Sequence, residues 1–294
     1  MVIENALSEF LIEQQIRGNT PKTLRYYTVS IGQYSSFAGL GLPLSEITLQ
    51  SLRRYYMHLS GRGLSTTTIQ TYIRALRAFL TWCYGQEYIT ENLSERFRLP
   101  KAQQKVIDVL TDSEVCRLLA CFNLRYIIHL RNYCICSLML DSGLRMHEVT
   151  TLTMNNLHIP EGYTIVNGKG NKQRLVPLGL QTRKYLSRYL SRRPACVLTD
   201  RVFLMANGET VTDNTIHLMF RRLKTRAAIP RLRAHLLRHT FATRYLENGG
   251  DMYALQQILG HTSLEMVKRY VHTTTRKTVP TFPLYSPLDN LMKA

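Results

Sequence analysis

The chain has 294 residues, 45% of them hydrophobic, which is enough for two cores of ordinary size, and no apolar run reaches the roughly 20 residues of a membrane-spanning helix. Thirty-eight Lys and Arg against 20 Asp and Glu give a net charge of +18, so a polyphosphate partner is expected, since clustered cations gain affinity by releasing its counterions. An anionic lipid is the poorer candidate, because no terminal basic amphipathic helix is visible, and the six cysteines (Cys83, Cys116, Cys121, Cys134, Cys136, Cys196) form no Cys-x-x-Cys pair of a zinc or disulfide framework.

The start, "MVIENALSEF", is acidic where a signal peptide is basic and then apolar, so a cytoplasmic location is expected. A first helix is predicted from about Ile3 to Ile16, stopping at Arg17-Gly18-Asn19. A second opens at Thr20-Pro21, with Thr as N-cap and Pro at the first helical position. "TLQSLRRYYMHLS" and "STTTIQTYIRALRAFLTWCYG" complete a helical domain over residues 1–97, each with a hydroxyl residue placed to cap it. The basic, aperiodic "RFRLPKAQQKV" marks a linker, placed at 98–105.

Beyond the linker the texture changes. "TDSE", Thr111 to Glu114, is a capping box, and a helix of about Leu124 to Asp141 ends at Ser142-Gly143. "YTIVNGKGNKQRLVPL" reads as two short strands around a glycine turn, and helices continue to about Tyr270. After Thr273 three prolines exclude one long helix, although "SPLDNLMKA" could form a short apolar one. Residues 1–105 carry 12 basic and 7 acidic residues and the remainder 26 and 13, so both halves are basic. The expected fold is mainly α with a small β-hairpin or sheet in the C-terminal domain, arranged as two domains that grip one nucleic acid.

The segment "HLLRHTFATRYL" concentrates charge: His235, Arg238 and His239 share one helical face, and no carboxylate lies between Asp213 and Glu247. It is not a zinc motif, because Leu stands where a catalytic Glu belongs and an arginine would repel a cation. Four other stretches pair such residues with turns: Arg145 after a glycine helix stop, Lys169 between two hairpin glycines, His261 after the Gly260 cap, and Tyr270 near the end of a further helix. Any one of these is commonplace. Jointly, two guanidinium forks suit the non-bridging oxygens of a phosphodiester under attack, and the remaining groups can supply a nucleophile and proton transfer without a metal or other cofactor.

The stretches "SGLRMHEV", "GKGNKQRLVPL", "HLLRHTFATRYLENGG", "LQQILGHTS" and "YVHT", in this order and at this spacing over about Asp141 to His272, resemble the tyrosine recombinase (phage integrase) family, nearest to its Xer-type and transposon-encoded members. "RGNTPKTLRYYTVSIGQYSSFAG" resembles, more weakly, the family's helical core-binding domain. The resemblance implies a catalytic domain over 106–275 in which Tyr270 attacks a DNA phosphate and becomes joined to its 3′ side. Arg145 and Arg238 would hold the non-bridging oxygens, Lys169 would protonate the leaving 5′ oxygen, His235 would assist proton transfer with Tyr270, and His261 would bond the phosphate. His239 is left out of that set and assigned to packing or a buried hydrogen bond.

A site-specific DNA recombinase acting through a Holliday junction is therefore expected, with double-stranded DNA at paired sites as partner and four protomers assembled on it. A type IB topoisomerase-like enzyme and a non-catalytic DNA-binding regulator are the rival readings. Arg74, Arg77, Lys172, Arg174, Arg221, Arg222 and Lys224 are candidate DNA contacts. By resemblance alone, the tail 276–294 docks onto a neighbouring protomer; a frayed end or packing on its own domain are the alternatives.

Overall fold

Hydroxyl caps frame the N-terminal helices. In the computed structural model α1 covers Ile3–Ile16, α2 Pro21–Ala38, α3 Leu49–Gly61, α4 Thr66–Gly85 and α5 Leu93–Arg96. Thr20, Thr48 and Ser65 each accept the backbone N–H three residues on, which satisfies donors that a helix start leaves open. The residues described are 1–97, 108–168, 173–194 and 199–260, with Val267 and Tyr270. The chain divides into two units, Met1–Lys105 and Val106–Ala294.

In the first unit α1, α2 and α4 meet around Phe10, which stands edge-on to Tyr27, Phe79 and Trp82 at centroid distances of 5.0, 5.6 and 5.4 Å. Such aromatic clusters contribute through buried area and through edge-to-face geometry. No helix among the described residues is long and apolar enough to cross a membrane.

The second unit contains α6 Asp112–Ala120, α7 Ile127–Asp141, α8 Met146–Thr150, α9 Leu180–Leu190, α10 Asp213–Arg226, α11 Ala234–Glu247 and α12 Met252–Leu259. Thr111 and Glu114 close the expected capping box on α6. Helix α7 starts at Ile127, later than its periodicity suggests, because Asn123 accepts the Arg125 N–H at 3.1 Å and holds a turn there. It runs through the core, burying Leu130, Cys134, Ile135, Cys136, Leu138 and Met139. Burial pushes the Cys134 thiol up to about 12, so it packs as a small hydrophobe.

The predicted hairpin is present as β2 Tyr163–Asn167 and β3 Gln173–Pro177, with Asn167 opposite Gln173 and Tyr163 opposite Pro177. A two-residue strand the pattern did not suggest, β1 Leu157–His158, adds an antiparallel edge to β2. The architecture is thus mainly helical with a small antiparallel sheet in the second unit, as expected.

Candidate active site

The α7–α8 turn places Arg145. Gly143 adopts φ 66°, Leu144 returns its N–H to Leu138 O at 3.2 Å, and the buried Leu144 fixes the arginine that follows. A side chain at 143 has no room: a Cβ there would lie 2.5 Å from Phe241 Cδ1. Phe241 and Arg238 are three apart on α11 and both meet this turn, since Arg238 Nη1 donates to Gly143 O at 2.5 Å. Arg238 Nη2 donates to Leu259 O at 2.7 Å, while Arg174 Nε donates to Ile258 O at 2.7 Å. Two guanidiniums therefore satisfy carbonyls that the end of α12 leaves without helical partners, next to the left-handed Gly260 cap.

Glu148, 4% exposed, ties the cations together. Its carboxylate accepts the Arg145 N–H and Arg145 Nη1, each at 2.8 Å, and both ends of the Arg174 fork, each at 2.8 Å. Burial alone would raise its pKa, but the hydrogen bonds and charges of Arg174, then those of Arg145, outweigh this and hold it below the usual carboxylate range. Arg174, expected on DNA, instead turns inward: its side chain is 12% exposed and its fork grips Glu148.

Arg238 itself is 4% exposed, and its pKa falls to about 9, first through burial and next through the charge of Arg145. His235, exposed near the start of α11, is also lowered, first by burial and then by Arg238, Arg145 and Arg233. Both shifts describe a positive site that an anion would relieve. Tyr270 is buried in the same core, 3% exposed, one turn beyond the buried Val267. Its hydroxyl lies 2.8 Å from His239 Nδ1, and its charge, when present, would be felt at Arg238.

Arg145, Arg238 and Tyr270 therefore belong to one neighbourhood, and His235 shares its field. Lys169, His261 and Lys172 lie outside the described residues. Two groups that matter here are not singled out by sequence. Glu148 is visible there only as a partner for Arg145 at i+3, and helical period does not separate His239 from His235, which only the family resemblance ranks. Of the proposed DNA contacts, Arg221, Arg222 and Lys224 are exposed on α10; Arg74 is exposed on α4, and Arg77 is half-buried.

A nearly buried phenol coupled in charge to Arg238, within an anion-seeking site, is an arrangement able to serve phosphoryl transfer. Comparison with known proteins agrees. Residues 108–277 match the phage integrase family, and residues 5–99 match the phage integrase SAM-like domain. The chain is 28% identical to the tyrosine recombinase XerD of Oceanobacillus iheyensis, covering 97% of this chain and 99% of that one. It is 30% identical to the XerD of Staphylococcus aureus, covering 93% and 94%. In fold it is similar to the Tn1549 transposon integrase in complex with transposon right end DNA, with a TM-score of 0.76 at 20% identity, covering 97% of this chain and 100% of that one. The chain belongs to the phage integrase family and is a tyrosine recombinase, an enzyme of site-specific DNA recombination.

Proposed function

We propose that the Tyr270 hydroxyl attacks a phosphate of double-stranded DNA, forming a 3′-phosphotyrosyl bond and releasing a 5′ hydroxyl, and that the reverse reaction with a second strand gives a Holliday junction. The observation that supports this is the charge coupling of Tyr270 to Arg238, which in turn feels the charge of Arg145. In this reading the two arginines neutralise the non-bridging oxygens as charge builds on them, and Glu148 orients Arg145 for that task. Lys169 protonates the leaving 5′ oxygen, His235 assists proton transfer, and His261 bonds the phosphate. The phosphotyrosine keeps the energy of the broken bond, so rejoining needs neither ATP nor a metal.

The N-terminal helical domain, residues 1–97, binds the core of the site, with Arg74 and Arg77 as contacts, and residues 106–275 carry the chemistry, with Arg221, Arg222, Lys224 and Lys172 on the backbone. Four protomers assemble on two paired sites in the cytoplasm; the tail 276–294, expected by resemblance to dock on a neighbour, lies outside the described residues. The relatives named XerD and the integrase solved on transposon DNA support DNA as the partner.

The test is a nicked duplex that traps the covalent intermediate. The native protein gives a protein–DNA adduct on a denaturing gel, and Tyr270→Phe gives none while binding DNA nearly as well, since one oxygen and no charge is lost. An adduct that persists in Tyr270→Phe would move the nucleophile elsewhere. Holliday junctions from paired sites separate this activity from simple relaxation of supercoils.

A further inference from the structure

Sequence alone assigns position 239 to packing or a buried hydrogen bond, outside the reacting set. The geometry instead points to His239 as a positioning residue for the nucleophile: its Nδ1 accepts the Tyr270 hydroxyl proton in a hydrogen bond and so sets the direction of the attacking oxygen. This rests on Tyr270 being the nucleophile. The two atoms are 2.8 Å apart and the rings tilt at 45° with centroids 5.7 Å apart, so the phenol meets the imidazole edge at ordinary hydrogen-bond range. A phenol has one rotor that matters, the C–O–H torsion. Once its proton is directed to Nδ1, the oxygen lone pairs are confined to the remaining directions, and one of those must face phosphorus.

The direction of the bond follows from the acidities. A phenol, with a pKa of about 10, is a much stronger acid than the N–H of a neutral imidazole, so the hydroxyl donates. With Nδ1 accepting that proton, the proton of the neutral imidazole sits on Nε2. Tyr270 has little freedom otherwise, being 3% exposed with Val267 buried one turn before it. His235, the histidine of the same face that the family pattern favours, has its ring centroid 6.5 Å from that of His239, so the two imidazoles hold separate positions.

Asparagine and glutamine distinguish this role from mere packing. The amide of His239→Asn can place an acceptor oxygen near where Nδ1 lies, whereas that of His239→Gln places one near Nε2. Single-turnover adduct formation on the nicked duplex is measured for both, for His239→Phe and for the native chain, with DNA affinity and melting temperature measured alongside. His239→Phe and His239→Gln should form adduct at least about tenfold more slowly at unchanged DNA affinity, and His239→Asn should recover most of the rate. An unchanged or faster rate in His239→Phe overturns the inference, and so does equal loss in Asn and Gln variants that melt like the native chain. A native protein that forms no adduct, or a Tyr270→Phe variant that does, would instead overturn the assignment of the nucleophile.

Discussion

Replacing Glu148 with Gln should destabilise the second unit by about 3 to 5 kcal/mol at pH 7, the cost of removing one partner from a buried ion pair. The carboxylate is 4% exposed and accepts four hydrogen bonds, two from Arg174 and two from Arg145. Glutamine keeps the size but offers one oxygen, and its amide N–H groups face a guanidinium that has only donors. Most of the loss belongs to Arg174, whose side chain is 12% exposed, because Arg145 at 33% can turn to water. In urea the midpoint for residues 106–294 should fall by roughly 1 to 2 M, for a slope of about 2 to 3 kcal/mol per M.

The pH dependence has a definite sign. The folded pKa of Glu148 lies below its unfolded value, so its stabilisation is present above about pH 4.3 and fades as the pH falls through the folded value. The gap between the native chain and the Gln variant should narrow from pH 7 toward pH 3. A loss under about 1 kcal/mol at pH 7, or a gap that stays constant with pH, would refute the claim that Glu148 holds the two arginines as an ion.

Gly143→Ala should cost about 2 to 4 kcal/mol in thermal unfolding, since it combines a left-handed backbone at φ 66° with a Cβ 2.5 Å from the Phe241 ring; a neutral result would mean that the turn yields easily. The imidazole pKa of His235, lowered in the free protein, should rise when the Tyr270→Phe protein binds uncleaved DNA, because a phosphate offsets Arg238 and Arg145. An NMR titration showing no rise would place the phosphate elsewhere. Changing Arg221, Arg222 and Lys224 together to Gln should lower the slope of log Kobs against log salt by up to about 0.9 for each phosphate that is no longer neutralised. An unchanged slope would take α10 off the DNA.

Much of the fold was legible in the sequence because its signals are local. The caps at Thr20, Thr48, Ser65 and Thr111, the proline that starts α2 and the glycine that ends α7 act within a few residues of themselves. The hairpin followed from alternation around glycines, whereas β1 is two residues long and exists only because β2 presents an edge to it. The order and spacing of the motifs likewise marked the family, and with it Arg145, Arg238 and Tyr270.

What the sequence could not determine is which atoms meet across the fold. Arg174 reads as a candidate DNA contact on the hairpin, yet Glu148, 26 positions away, draws its fork inward, a pairing between residues of α8 and β3 that no local signal announces. His235 and His239 are one helical turn apart and share a face, so periodicity cannot rank them. Tertiary packing ranks them instead: it brings Tyr270, 31 positions on, to the Nδ1 of His239. Helical period is a property of neighbours along the chain, but a hydrogen bond between distant residues depends on where burial of the core leaves two rigid elements.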